Sequence, residues 1–178
     1  MLNLADEIDG GRIPARITSV IAHRESLPGV ERCRKRGLPV RIVPPEPSMD
    51  LDDRIDHCLA ECGAELVCLC GYLRHFRVGG RWAGRTINIH PALLPDFGGK
   101  GMYGQHVHRA VIASGRRESG CTVHFVDELY DHGPTILQKR CEVTPEDDPD
   151  TLAARVFELE CDAFPEALVR VIEGMKAP

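Results

Sequence analysis

The sequence is poor in aromatic residues and has no excess of positive charge, and both shortages exclude classes of function. Only 5% of its 178 residues are Phe, Trp or Tyr. Few aromatics leave few platforms on which the bases of single-stranded nucleic acid can stack. The net charge is -5, whereas binding to phosphates needs clustered Lys and Arg. We therefore expect no nucleic-acid partner, and we expect the one basic cluster, 32–36, to be a solvated helix face.

Long apolar runs are also missing. No stretch of the sequence approaches the roughly 18 apolar residues that indicate a membrane-spanning helix. The first residues have neither the basic start nor the apolar core of a signal peptide. The sequence predicts a cytoplasmic protein with no membrane partner.

Cysteine is abundant, but its spacing offers no metal-binding motif. None of the eight cysteines forms a Cys-x-x-Cys pair, and Cys68 and Cys70 lie in an apolar run where cysteine packs as a small hydrophobe. We expect no metal site, and no disulfide framework in a reducing compartment. A cysteine- and histidine-based metal protein would require stoichiometric metal in the purified chain.

Short apolar runs alternate with helical patterns along most of the chain. Asp50 is a candidate helix N-cap, Gly63 is a candidate terminator, and Pro165 should kink or interrupt the last helix. This order predicts one α/β domain over 1–178, with a mostly parallel sheet, flanking helices and an antiparallel strand pair near the C-terminal end. The predicted strands are 15–21, 39–43, 66–70, 86–90, 121–126 and 134–143, and the predicted helices are 29–36, 51–62, 106–114 and 151–173.

The start of the chain departs from the usual order of a nucleotide-binding α/β domain. A helical pattern, formed by Leu2, Leu4, Ala5 and Ile8, stands where a strand and a Gly-rich phosphate loop are expected. Either the fold starts unconventionally or the first strand and its loop are absent. We expect the domain to be N-terminally incomplete.

The segment 87–95 carries the most informative chemistry. Strand alternation places Ile87 and Ile89 on one face, with Asn88 and His90 together on the other. Both polar side chains then lie at the carboxyl end of a strand, where open α/β sheets bind ligands. An amide can donate to a developing oxyanion and an imidazole can exchange a proton, so the pair suits acyl transfer. A lone Asn-x-His is also compatible with a structural role.

A second segment reads as a strand, an acidic loop and another strand over 120–138. Asp127 and Glu128 are interpreted as solvated turn residues. Asp131 differs because it precedes His-Gly-Pro, which forces a tight turn and fixes the direction of its carboxylate. A carboxylate beside an imidazole orients the ring and raises its pKa. His124 is expected to pack or hydrogen-bond within its strand, and His106 and His108 should point in opposite directions.

Together these segments resemble the phosphoribosylglycinamide formyltransferase family and, more broadly, the 10-formyltetrahydrofolate transferases. The resemblance runs from near residue 2 to about residue 173 and includes a variant loop over 97–103 followed by His106 and His108. It implies a Rossmann-like formyltransferase fold. Its most specific motifs are 88–95, 119–126 and 131–138.

The resemblance implies a reaction and a set of catalytic residues. The amine of glycinamide ribonucleotide would take the formyl group of 10-formyltetrahydrofolate, as in de novo purine biosynthesis. Asn88 and protonated His90 would stabilise the oxyanion, and Asp131 would hold His90 charged and help move the proton. Neither a metal nor a covalent enzyme intermediate is implied.

The resemblance also implies two binding regions for small-molecule substrates. Glu160 matches a carboxylate that contacts glycinamide ribonucleotide, although a solvated position on the last helix is the competing interpretation. The residues expected to bind the folate are Leu73, Arg74, His75, Phe76, Asn88, Asp127, Glu128, Leu129, Tyr130 and Asp131.

Two departures from the family pattern leave alternatives open. The family's first strand and phosphate-binding loop have no counterpart, and the position expected to hold an arginine for the folate tail falls near Ser48. The chain could formylate another amine, such as an amino sugar, or be a non-catalytic folate-binding remnant. A homodimer is a candidate assembly, and the glycines of 98–104 make that loop a candidate lid.

Overall fold

The computed structural model describes residues 1–176, which belong to two compact units that meet in the sequence between Glu65 and Leu66. Strands and helices alternate, so the predicted α/β class is confirmed. The elements are α1 (Leu2–Asp9), β1 (Val20–Ala22), α2 (Pro28–Lys35), β2 (Val40–Ile42), α3 (Leu51–Glu61), β3 (Val67–Leu69), a 3-10 turn (Gly80–Trp82), β4 (Thr86–His90), α4 (Gln105–Ala113), β5 (Glu118–Phe125), β6 (Thr135–Glu142) and α5 (Pro149–Lys176).

The first unit contains one short parallel strand pair. β1 and β2 pair in register from Val20 opposite Val40 to Ala22 opposite Ile42. The predicted strand over 15–21 is therefore mostly wrong, because 15–19 is irregular and pairing begins only at Val20. The alternation of apolar and polar residues there was compatible with a strand, but a strand also needs a hydrogen-bonding neighbour.

The limits of α3 follow the local signals in the sequence. The carboxylate of Asp50 accepts a hydrogen bond from the backbone N–H of Asp52 at 2.9 Å, which makes Asp50 the N-cap. Gly63 follows the helix with a φ of 64°, a left-handed conformation that glycine adopts at little cost. Both predictions are confirmed.

The basic cluster of α2 is an exposed and largely neutralised surface. Lys35 pairs with Glu31 at 2.7 Å, and Arg36 pairs with Asp6 at 3.0 Å. Arg34 forms a bidentate ion pair with Glu25. The predicted solvated face is confirmed, because its charges are balanced by neighbouring carboxylates on the same surface.

The second unit is built on a four-stranded mixed sheet in the order β3-β4-β5-β6. β3 and β4 are parallel, whereas β4–β5 and β5–β6 are antiparallel. The antiparallel pair near the C-terminal end is therefore confirmed, and antiparallel pairing also extends to β4. The core of this unit includes the fully buried Ile87, Val107, Cys121 and Val123.

The last helix, α5, packs on β5, β6 and α4. It runs without a break past Pro165, so an interruption there is wrong, while a kink at Pro165 stays a prediction. Proline cannot donate to the preceding turn, which normally destabilises a helix interior. Here the ring is buried beside Phe164 and Leu168, and this packing offsets the missing hydrogen bond.

Residues 1–176 contain neither a helix able to span a membrane nor a group of side chains arranged to hold a metal ion. None of the helices described is both long and apolar enough to cross a membrane. No group of three or more His, Cys, Asp or Glu residues within that range is arranged to hold a metal ion. All eight cysteines are free, and burial of the Cys68 thiol raises its pKa.

Candidate active site

Asn88 and His90 project from the same face of β4 at its carboxyl end. The neighbouring Ile87 turns to the opposite face and is fully buried there, as the alternation predicts. His90 is itself 3% exposed, so its ring is held inside the unit rather than in solvent. The strand bounds are those predicted from the sequence.

Both nitrogens of the His90 ring face oxygen atoms. Nε2 lies 2.8 Å from the carbonyl oxygen of Phe97, and Nδ1 lies 3.4 Å from Oδ2 of Asp131. A carbonyl oxygen only accepts, so Nε2 carries a hydrogen and donates it. The structure thus brings together the Asn, His and Asp that the sequence singled out.

Asp131 is fixed by its backbone and by a second donor. Its φ of 54° is left-handed, a conformation that Asp tolerates better than most residues. Its Oδ2 accepts a hydrogen bond from the backbone N–H of Gly99 at 2.9 Å. Gly98 leaves no room for a side chain, because an added Cβ would lie 2.5 Å from Cδ2 of Leu94 and 3.1 Å from Cβ of Asp131.

His124 belongs to the same cluster, although the sequence analysis assigned it only a role within its strand. It is 1% exposed and lies opposite Asn88 in the β4–β5 register. Nε2 is 3.3 Å from Nδ2 of Asn88 and 3.7 Å from Oδ1 of Asp131. Nδ1 is 2.8 Å from the carbonyl oxygen of Phe125 and must donate to it, so a neutral ring accepts from Asn88 through Nε2.

Burial and nearby charges shift the pKa values of His90 and Asp131 in opposite directions. Burial lowers the pKa of His90 below its usual value, and Asp131 raises it without reversing that direction. The expectation of a net raised pKa for His90 is therefore wrong, because desolvation of the ring is the larger effect. Burial alone would raise the pKa of Asp131, but His124, His90 and the Gly99 N–H hold it below its usual value.

The loop after β4 is held down by two polar side chains from the neighbouring strands. The hydroxyl of Thr122 donates to the carbonyl oxygen of Ala92 at 2.7 Å and accepts from the N–H of Leu94 at 3.0 Å. The amide of Gln138 donates to the Leu94 carbonyl oxygen at 2.9 Å and to the Thr122 hydroxyl at 3.0 Å. These contacts hold the loop in the position at which the Phe97 carbonyl oxygen accepts from His90.

The two segments predicted to bind folate lie side by side. Nε2 of His75 donates to the carbonyl oxygen of Glu128 at 2.9 Å, and the His75 and Tyr130 rings meet edge to face at 5.2 Å between centroids. Apolar side chains remain exposed around this contact, with Leu73 at 61% and Leu129 at 59%. An exposed apolar patch beside polar catalytic groups is typical of a ligand site.

Not every predicted folate residue presents its side chain to this patch. Phe76 is buried and contacts the ring of Tyr72 edge to face. The carboxylate of Asp127 is occupied by the N–H of Leu129 at 2.9 Å and by Nδ1 of His132 at 2.7 Å. Arg74 and Glu128 are exposed, so the loop's contribution through backbone groups remains a prediction.

Glu160 is a half-buried carboxyl group on α5. Burial raises its pKa to about 7. No hydrogen bond or ion pair joins Glu160 to Asn88, His90 or Asp131 among the described residues. A half-buried carboxyl group with a raised pKa is a candidate for contact with a ligand that can donate hydrogen bonds.

The two histidines of α4 face in different directions, as predicted. His106 is exposed and meets the ring of Tyr103, whereas His108 is 5% exposed. Nδ1 of His108 is buried without a hydrogen-bond partner among the described residues. Burial lowers the pKa of His108, and His90 lowers it further.

Comparison with known proteins places this geometry in a family. The model of the formyl transferase family matches residues 2–168. A chloroplastic phosphoribosylglycinamide formyltransferase from Arabidopsis thaliana is 38% identical over 169 residues, which cover 92% of this chain and 58% of the plant protein. The enzyme of the same name from Haemophilus influenzae is 31% identical, covering 96% of this chain and 81% of its own.

A solved structure supports the same relationship. Glycinamide ribonucleotide transformylase 1 from Symbiobacterium toebii superposes with a TM-score of 0.85 at 34% identity. The match covers 97% of this chain and 81% of that one. The sheet, the helices and the strand that carries Asn88 and His90 therefore form an arrangement found in a solved relative.

Proposed function

The chain belongs to the formyl transferase family, and on that premise we propose that it transfers a formyl group from 10-formyltetrahydrofolate to the amine of glycinamide ribonucleotide, a step of de novo purine biosynthesis. The observation that carries the proposal is the cluster of Asn88, His90, His124 and Asp131 at the carboxyl end of β4. An amide, two imidazoles and a carboxylate, with contacts of 3.3 to 3.7 Å between their polar atoms, suit acyl transfer to nitrogen.

Asn88 and His90 act on the oxygen that becomes negatively charged. The acceptor amine attacks the formyl carbon of the donor, and the bond from that carbon to the folate nitrogen breaks as this nitrogen takes up the proton that the amine releases. The Asn88 amide has a second N–H beside the one directed at Nε2 of His124 and can donate it to that oxygen, whereas the hydrogen on Nε2 of His90 reaches that oxygen only by leaving the Phe97 carbonyl. The growing negative charge raises the proton affinity of the ring, so its charged form is favoured as the reaction advances.

Asp131 supports the charge that develops on His90. Its carboxylate faces Nδ1, the nitrogen that gains a proton in the cationic ring. Because its pKa is held below its usual value, Asp131 stays ionised at neutral pH. The same carboxylate can accept the proton that leaves the attacking amine, directly or through water.

The exposed apolar surface of Leu73, Leu129 and Tyr130 fits a flat aromatic ligand such as a pterin. The Glu128 carbonyl, which accepts from His75, and the Asp131 carboxylate belong to the same loop as Leu129 and Tyr130. We place the folate against this surface with its formyl group toward Asn88. Arg74, also exposed, is the residue of this segment suited to an anionic tail.

Glu160 is assigned to the acceptor substrate. A ribose offers hydroxyl donors, and a carboxyl group with a pKa of about 7 accepts from them once ionised. Replacing Glu160 with Gln should therefore raise KM for glycinamide ribonucleotide and leave kcat nearly unchanged.

The proposal is tested by following loss of the formyl group from 10-formyltetrahydrofolate, with and without glycinamide ribonucleotide. We expect release that depends on the nucleotide and that falls by roughly 10³-fold in His90→Ala. His106→Ala is the matched control, because His106 is exposed on α4 and should keep full activity.

Other outcomes separate the alternatives. Release with an amino sugar but not with the nucleotide would assign a different acceptor. Tight folate binding without release would mark a non-catalytic binding protein. Equal activity of His90→Ala and the wild-type chain would overturn the assigned centre.

A further inference from the structure

A cavity of about 440 Å³ lies in the second unit, outside the candidate active site. Its walls come from the loop after β4, from the segment that leads into β5 and from β6. None of Asn88, His90, Asp131 or Glu160 lines it. Its volume is within the range of sites that bind small molecules.

One part of the cavity wall is apolar and another is cationic. The apolar part can cover a flat or aliphatic ligand body, and it is formed by Leu93, Leu94, Pro95, Phe97 and Val111. The cationic part contains three arginines against two carboxylates, those of Asp96 and Glu118, which leaves one positive charge in excess.

The excess positive charge belongs to Arg117. Arg116 is paired with Asp96 at 2.6 Å and Arg140 with Glu118 at 3.1 Å, so both carboxylates of the cavity are occupied. Arg117 forms no ion pair with any residue in the part of the chain described, 1–176. A guanidinium presents a planar fork of donors that matches a carboxylate or phosphate group.

From these walls we propose that the cavity is a second ligand site, which binds a small molecule that joins an apolar body to a phosphate or carboxylate group. The anionic group pairs with Arg117, and the body packs on Leu94 and Phe97. Phe97 also supplies the carbonyl that accepts from His90, so the ligand contacts the loop that borders the catalytic cluster. This inference does not depend on the identity of the formyl acceptor.

Calorimetric titration with defined probes tests the proposal. Adenosine 5′-monophosphate represents the phosphate class and indole-3-acetate the carboxylate class, while adenosine and inorganic phosphate each lack one half of the ligand. We expect one of the two complete probes to bind at least tenfold more tightly than either half. Arg117→Ala should weaken that binding at least tenfold.

The matched control is Arg109→Ala, an exposed arginine on α4 that does not line the cavity. It should change binding less than twofold. Arg117→Lys keeps the charge but not the fork, so it should bind more weakly than the wild-type chain and more tightly than Arg117→Ala. Absence of binding by both complete probes, or binding that is equal in the wild-type chain and both Arg117 variants, would overturn the proposal.

Discussion

Two histidine–aspartate contacts lie on or beside one loop, and the shorter one is on the surface. Nδ1 of His132 is 2.7 Å from Asp127, with side chains 65% and 35% exposed. Nδ1 of His90 is 3.4 Å from Asp131, with side chains 4% and 11% exposed. Water screens the first contact, whereas the second acts in a medium of lower dielectric. Burial, rather than distance, therefore separates a turn contact from a candidate catalytic pair.

Apart from the loss of His90 or Asp131 themselves, removal of the Asn88 amide from the buried cluster should have the largest effect. We expect Asn88→Ala to lower kcat by about 10²- to 10³-fold, because the donor is needed when the oxyanion forms. KM for the nucleotide should change little. Steady-state kinetics with both substrates varied provides the measurement. A change confined to KM would instead make Asn88 a binding residue.

His124 tests whether the buried cluster acts as a connected network. Asn in its place can keep the contact to the Phe125 carbonyl but cannot reach Asn88, whereas Gln can imitate the Nε2 position. We expect His124→Asn to lower kcat about tenfold, equivalent to the loss of about one hydrogen bond, and His124→Gln to lower it less. Equal kcat values for both variants and the wild-type chain would separate His124 from the catalytic cluster.

Glu160 extends the comparison to a half-buried carboxyl group whose pKa is raised by burial. Its pKa is about 7 in the folded chain, against a usual value of 4.5, so folding favours the protonated form. Stability should therefore fall as pH rises from about 4.5 to 7 and then level off.

Glu160→Gln removes this pH-dependent loss. At pH 8 we expect the variant to be more stable than the wild-type chain by about 1 kcal/mol, or roughly 2–4 °C in Tm, after allowance for partial exposure. At pH 4 the two should melt together. Thermal unfolding at both pH values is the measurement, and a variant less stable at pH 8 would contradict the assignment of a raised pKa.

Substitution of His132, in the exposed contact with Asp127, should have the smallest effect on activity. We expect His132→Ala to change kcat and KM less than twofold, because its ion pair with Asp127 is solvated. The same assay as for Asn88→Ala applies. A loss of kcat above tenfold would show that the turn over 127–132 depends on this contact for its shape. It would contradict the inference that only the buried contact of His90 matters for catalysis.

Local patterns were sufficient to predict the elements that carry the site. The alternation of 86–90 placed Asn88 and His90 on one face, and the His-Gly-Pro after Asp131 marked its turn. Cap chemistry at Asp50 and Gly63 fixed the ends of α3. These signals act over a few residues, so they can be read without knowledge of the fold.

Features that depend on long-range pairing could not be predicted in this way. His124 joins the cluster only because β5 lies antiparallel to β4 with His124 opposite Asn88. Thr122 reaches the loop after β4 through the same register. The direction of the His90 pKa shift follows from its burial, which the strand pattern alone does not give.

The proposed mechanism requires His90 and Asp131 to act as one unit, and a double-mutant cycle in formyl transfer tests this requirement most directly. The variants are His90→Ala, Asp131→Asn and the combination of the two. If the residues act together, each single change should lower kcat by about 10³-fold and the double variant should lose about as much as either. Losses that multiply to about 10⁶-fold would mean that the two residues act independently, and would contradict the account.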